Sequence, residues 1–304
     1  MDTAITVRGR PLEEILEAHA KWVEDNSSGR RCILQNETLN EAQLRDTNLR
    51  AAILRGTTLL DAELSGSNLS GATLETVDLG RSMLTGVDFS GAHISDSEFV
   101  SSWMAEVMLT DAKIRNTNFR KASLRESRFQ GAVIESCKFT GAILSGAALH
   151  HCRIATTDLS ECEFAGAQFF RASLLSCRIY GAHCAGANFS NCRLKSCDLA
   201  KTDLSGAKLF QADFNGSQLD RTDLHDADLR EAQLNGVALC QADLSGAHLL
   251  GANLFGADLR GADLTAARGL TSLQLTKART DESTILPNGS RGPYRRFSGA
   301  ERFR

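Results

Sequence analysis

His150-His151-Cys152 is the one run of three consecutive His or Cys side chains in the 304-residue sequence. Zinc takes four such ligands in a tetrahedron, drawn from paired positions at short spacing, and no second pair accompanies this run. A P-loop, a dinucleotide-binding fingerprint and a nucleophile elbow are also missing from the sequence. Aspartate and serine are plentiful, but they return at fixed intervals, as the surface positions of a repeat do. A convex repeat offers no cleft in which two carboxylates would share a proton. The expectation is a binding function: no catalytic residue, no metal and no cofactor.

What must position these side chains is a five-residue beat. From Leu34 to Leu264 every fifth residue is large and apolar over 47 positions, 45 of them Leu, Phe or Ile and the others Met104 and Cys184. The residue two before each is Ala, Ser, Thr, Cys or Val everywhere except at Glu37, while the residue just before it varies freely. A helix would need apolar partners at i+3 and i+4, and a strand's two-residue alternation is inverted by every step of five. Short sides of five residues with a turn at each corner reconcile the two. Glycine at 66, 86, 246, 256 and 261 suits such corners. Each unit has too little core to stand alone, so the units must stack as a solenoid.

Pentads such as Ala242-Asp243-Leu244-Ser245-Gly246 carry a family resemblance. Their tandem Ala-Asp/Asn-Leu-x-Gly pattern, unbroken over roughly residues 32–267, resembles the pentapeptide-repeat proteins. The resemblance implies an all-β solenoid, a right-handed quadrilateral β-helix of four pentads per coil. At the usual strand separation of roughly 4.8 Å, its coils would make a rod about 55 to 60 Å long. Middle pentads such as Cys177-Arg178-Ile179-Tyr180-Gly181 depart in their outward residues and keep the inward pair.

A coil end is an unpaired β edge that needs a cover. Residues 1–31 read as a lead-in and capping helix, with Leu12, Ile15, Leu16, His19, Trp22 and Val23 on one face and Pro11 at its start. His19 belongs to that face rather than to a catalytic site. Residues 268–287 read as a C-terminal cap: a short helix from Thr271, with Leu270, Leu273 and Leu275 closing the end, then Thr284–Pro287 across the last coil. The tail 288–304, rich in Gly, Pro, Ser and Arg, reads as disordered. Its Tyr294-Arg295-Arg296-Phe297 offers a contact for an acidic partner, but a plain flexible tail is the preferred reading.

Seven of nine cysteines take the small inward position, Cys184 takes the large one, and Cys240 faces a side or corner. They are expected to be thiols in a reducing compartment, including Cys177 and Cys197, which the four-sided section stacks one coil apart. With no targeting stretch and no apolar run of membrane-spanning length, a cytoplasmic location without membrane contact is expected.

In a four-sided section residues twenty apart share a column. One column runs Glu63, Met83, Trp103, Ser123, Ile143, Glu163, His183, Asp203, Asp223, Asp243 and Asp263. Met83, Trp103 and Ile143, with Val100 and Met108 adjoining, are candidates for protein contact, and so is the run of four aspartates. Some pentapeptide-repeat proteins imitate duplex DNA and bind DNA gyrase, and the resemblance implies that alternative for the acidic half. The balance is 37 acidic to 34 basic residues, and residues 101–200 hold 12 basic and 8 acidic side chains, which suits a duplex mimic poorly. The middle shows no outward aromatic ladder, so direct nucleic-acid contact is a second, weaker alternative. C-terminal helices join some family members as dimers, which leaves a homodimer through the C-terminal cap open. The reading preferred is a protein-binding scaffold with an unidentified partner.

Overall fold

Every pentad has one large and one small side chain to bury, and the chain does so by turning a corner after each large residue. All 47 large residues of the series are at most 3 % exposed. The residue two after each takes a left-handed backbone whether or not it is glycine: φ is +72° at Gly66 and +56° at Asp61. Glycine is thus the easiest corner residue rather than a required one. The computed structural model describes residues 5–296 and 298–302. They fall into two compact units, divided after Ala148.

In the first unit, β1 (Thr6–Val7) and β2 (Arg10–Pro11) pair antiparallel and lead into α1 (Leu12–Glu24). Pro11 is the N-cap residue, and Glu13 and Glu14 in the first turn complement the helix dipole. The helix buries Leu12 and His19. The Cys32 N–H donates to His19 Nδ1 at 2.9 Å and the Arg30 N–H to the Ala18 carbonyl at 2.9 Å, which fastens the cap beside the first coil. Six strands then stack in parallel with a step of twenty residues: β3 (Ile33–Gln35), β4 (Ile53–Arg55), β5 (Thr73–Glu75), β6 (His93–Ser95), β7 (Lys113–Arg115) and β8 (Val133–Glu135). Single bridges with the same step, such as Thr58 to Asp78, Met83 to Trp103 and Asp88 to Met108, build the other three sides. Inside, the rings of Phe99, Phe119 and Phe139 stack at 4.9 and 4.7 Å between centroids.

The second unit continues the same rules with β9 (Arg153–Ala155), β10 (Ser173–Leu175) and β11 (Arg193–Lys195), and beyond Lys195 with single bridges alone. Its aromatic pair Phe169 and Phe189 stacks at 4.5 Å. Helix α2 (Ser272–Lys277) starts at Thr271, whose hydroxyl accepts from the Gln274 N–H while the Gln274 side chain accepts from Thr271. Ile285 bridges to Asp263, and the Ala266 N–H donates to the Pro287 carbonyl, so Thr284–Pro287 does cross the last coil.

Two expectations need correction here. Leu270 and Leu275 are buried, but Leu273 is exposed, because Leu273 and Leu275 stand two residues apart in the helix and point to opposite sides. The tail also has more structure than its composition suggests. The Gly292 N–H donates to the Thr284 carbonyl, the Tyr294 hydroxyl hydrogen-bonds Ser272 and Glu301, and Ala300 is buried. Backbone partners left open by the last coil give even a Gly-rich segment something to pair with. Phe297 lies outside the described residues. The fold is a right-handed quadrilateral β-helix with short capping helices.

Candidate protein-interaction surface

The residue before each large one projects from a side of the helix, and its backbone joins it to residues twenty away. A carboxylate or amide there lies close to the N–H two residues on, at the start of the corner, and it closes a small Asx ring. Asp203 accepts from Ser205 at 2.9 Å, Asp223 from His225 at 3.0 Å, Asp243 from Ser245 at 2.9 Å and Asp263 from Thr265 at 2.8 Å. Asn68 and Asp88 do the same for Ser70 and Ser90 in the first unit. The preference for Asp or Asn at this place therefore has a local cause. Asp223 also holds His225, whose Nδ1 lies 2.8 Å from the same oxygen, and that hydrogen bond raises the histidine pKa.

The four aspartates stack in succession, each bridged to the next, and each is half-buried. The expected acidic column exists. One oxygen of every carboxylate is committed to its own turn.

The first unit fills the equivalent position of its own coils differently. Met83 is 49 % exposed and Trp103 62 % exposed, and the two are bridged neighbours. Neither side chain can close the turn as an aspartate does. Val100 and Met108, in the same coil as Trp103, are half-buried; Met108 stands on the next side, bridged to Asp88 and Arg128. Ile143 is half-buried and separated from Trp103 by Ser123. The structure thus brings Met83 and Trp103 together, keeps Val100 and Met108 beside them, and leaves Ile143 apart. Sequence reasoning did not single out Leu250 and Phe255, which are exposed in the second unit along with Leu273. The signal was there: both immediately follow the large residue, an outward position seldom filled by a large apolar side chain.

The remaining candidates stay quiet. Among the described residues no group of three or more His, Cys, Asp or Glu is placed to hold a metal, and no helix is long and apolar enough to cross a membrane. His151 sits at a corner with φ +58° and meets the edge of the Phe170 ring. None of the nine cysteines, all among the described residues, is joined in a disulfide. Burial pushes the Cys32 thiol up to about 12 and Cys137 up to about 11, which keeps both protonated and unreactive. The hydrogen bond with Cys177, then burial, raises Cys197 as well.

Two family models match the repeat. A family model described as a pentapeptide repeat region matches residues 72–149 and 167–244, and a second, described as pentapeptide repeats in eight copies, matches residues 39–81 and 232–268. Among solved structures, the chain is similar to HetL, a pentapeptide-repeat protein involved in heterocyst differentiation regulation from the cyanobacterium Nostoc sp. strain PCC 7120. The two are 27 % identical over 90 % of this chain and 98 % of that one, with a TM-score of 0.28. Rfr23 from the cyanobacterium Cyanothece 51142 is 35 % identical over 30 % of this chain and 62 % of its own, with a TM-score of 0.28. Full-length QnrB1, a plasmid-mediated fluoroquinolone resistance protein, is 19 % identical over 82 % of this chain and 92 % of its own, with a TM-score of 0.21. None of the curated proteins compared with the chain matches it. The two family models between them cover most of the repeat, and the chain belongs to the pentapeptide-repeat family.

Proposed function

We propose that this protein is a non-enzymatic scaffold that binds another protein through the side bearing Met83 and Trp103. The observation that carries the reading is Trp103, 62 % exposed at a place where an aspartate or asparagine closes the turn elsewhere in the repeat. The indole forgoes a hydrogen bond worth about 0.5–1.5 kcal/mol net and leaves a large apolar ring in water. Tryptophan is a favoured anchor of protein interfaces, and a backbone laddered on both sides presents it with little ordering cost. Val100 and Met108 extend the apolar surface along the same coil, with Ile143 further off.

The run Asp203, Asp223, Asp243 and Asp263 supports a second, electrostatic contact more weakly, since each carboxylate already has work in its own turn. The reading assumes a reducing, cytoplasmic setting, which nine thiols outside any disulfide support.

The test is affinity capture from the cell of origin with quantitative mass spectrometry. The native protein should enrich a specific partner, and Trp103→Asp should lose it. A partner retained by Trp103→Asp but lost when Asp203, Asp223 and Asp243 are changed to Asn would move the function to the acidic column. If that same Asn variant also lost an inhibition of gyrase supercoiling shown by the native protein, the DNA-mimic alternative would replace this one.

A further inference from the structure

In the first unit, three cations of the outer wall are each matched by a carboxylate one coil away. Arg81 pairs with Asp61 at 2.6 Å, Arg55 with Glu75 at 2.9 Å and Arg115 with Glu135 at 2.8 Å, each across a step of twenty residues. The coil that follows Trp103 gathers cations without such a match. Its exposed cations are Arg120, Lys121, Arg125 and Arg128, and among the described residues none of them forms an ion pair. Their stacking places are all neutral. Twenty residues back stand Val100, Ser101, Ala105 and Met108; twenty residues on stand Thr140, Gly141, Ser145 and Ala148.

Trp103, Met108 and these cations are therefore one composite surface. Ser123 bridges to Trp103, and Arg128 bridges to Met108. The Ser101 N–H donates to the Arg120 carbonyl and the Glu106 N–H to the Arg125 carbonyl, each at 2.9 Å, so the cationic coil lies directly over the tryptophan coil. The separation is one strand spacing, roughly 4.8 Å. Glu106 and Glu126 occupy the corner beyond Arg125. The corner with Arg120 and Lys121 carries no such acid.

We infer that the partner of the Met83–Trp103 side is an acidic protein segment, which seats an apolar anchor against Trp103 and sets carboxylates on Arg120 and Lys121. This rests on the protein-binding reading above and names the chemistry of the partner. Charge complementarity is its ground: unpaired cations beside an apolar anchor offer steering and orientation together, and a partner carboxylate takes the place that Asp61 or Glu135 fills elsewhere. An anionic lipid surface would answer to the same charges. A protein segment is favoured because the same corner column goes from Arg120 to Thr140 within the first unit and offers no continuing run of cations for a membrane plane.

The experiment uses the full chain and fluorescence anisotropy. The probes are a labelled helical peptide with a Leu/Phe stripe on a Glu-rich background, the same peptide with Lys for Glu, and vesicles of phosphatidylcholine with phosphatidylserine. The Glu peptide should bind, more weakly as salt rises, and the Lys peptide and vesicles should not. Trp103→Ala and the pair Arg120→Glu with Lys121→Glu should each weaken binding about tenfold or more. Unchanged circular dichroism and thermal unfolding of each variant would show that the fold survives. Loss with Trp103→Ala but not with the charge reversals would overturn the acidic partner and leave the protein-binding reading standing. Binding indifferent to both changes would overturn the two together. Failure of the Glu peptide to bind, equal binding of the Lys peptide, or preference for the vesicles would overturn the inference.

Discussion

In the second unit the outward residue before the leucine is Asp203, Asp223, Asp243 or Asp263, and it bends back to hold its own corner. At the equivalent place in the first unit, Met83 and Trp103 point away and hold nothing. The difference separates what a repeat needs from what it merely carries. A regularity that recurs along the chain is first a solution to local hydrogen bonding. A departure that costs the fold something calls for another explanation. The conspicuous acidic column is thereby the better explained of the two regions, and the quiet tryptophan the less.

The comparison can be broken at its base by testing whether inward and outward positions differ as supposed. Leu64 and Leu224 are each 0 % exposed, one in each unit. Changing either to alanine should cost about 2–5 kcal/mol in urea unfolding. Losses below about 1 kcal/mol, well under what a filled core implies, would deny that the inward residues carry stability in both units.

The N-terminal cap adds a pH dependence to the first unit. Burial first, with the Arg31 charge adding and the carbonyl of Arg50 opposing, lowers the pKa of His19 below 6.5. Its Nδ1 must keep a lone pair for the Cys32 N–H, so a proton there would set donor against donor. The unfolded chain then binds the extra proton between the lowered value and about 6.5, and stability falls as the pH drops through that window. It is full above it. Acid titration followed by Trp22 fluorescence should show the cap loosening before the coils unfold, and His19→Gln should flatten the transition. An unaltered titration in His19→Gln would assign the acid response to other groups.

Smaller effects sharpen the contrast at the column itself. Asp223→Ala removes the acceptor for the His225 N–H and should cost about 0.5–1.5 kcal/mol, whereas Asp223→Asn keeps a side-chain oxygen and should cost little. Equal losses would mean that charge rather than the turn bond matters there. In the other direction, Trp103→Asp supplies the missing acceptor for the Ala105 N–H and removes an exposed ring. Thermal unfolding should find it as stable as the native protein or more so, by up to about 1 kcal/mol. A variant that unfolds early would show that Trp103 supports the fold.

Much of this was legible in the sequence. The inward series was, because burial leaves a residue few alternatives: Cys184 and Met104 keep the phase as faithfully as the leucines. The helix from Leu12 and the Thr271 cap were also readable, since amphipathic spacing and capping residues act locally. The exposure of Leu273 was not, because which side of a short helix is covered depends on the coil beneath it. The tail was misread for a related reason: its composition says little about pairing, and its partners lie on other segments, Thr284 and Ser272 among them. As for the surface, the column was found by counting in twenties. The turn bonds that explain its aspartates needed atomic positions.

The central claim is that the tryptophan side of the first unit meets a partner while the aspartate column serves its own corners. A photo-crosslinking amino acid placed in living cells at position 103, and separately at position 223, tests it most directly. A discrete adduct from 103 with none from 223 is the predicted result. An adduct from 223 and none from 103 would contradict it.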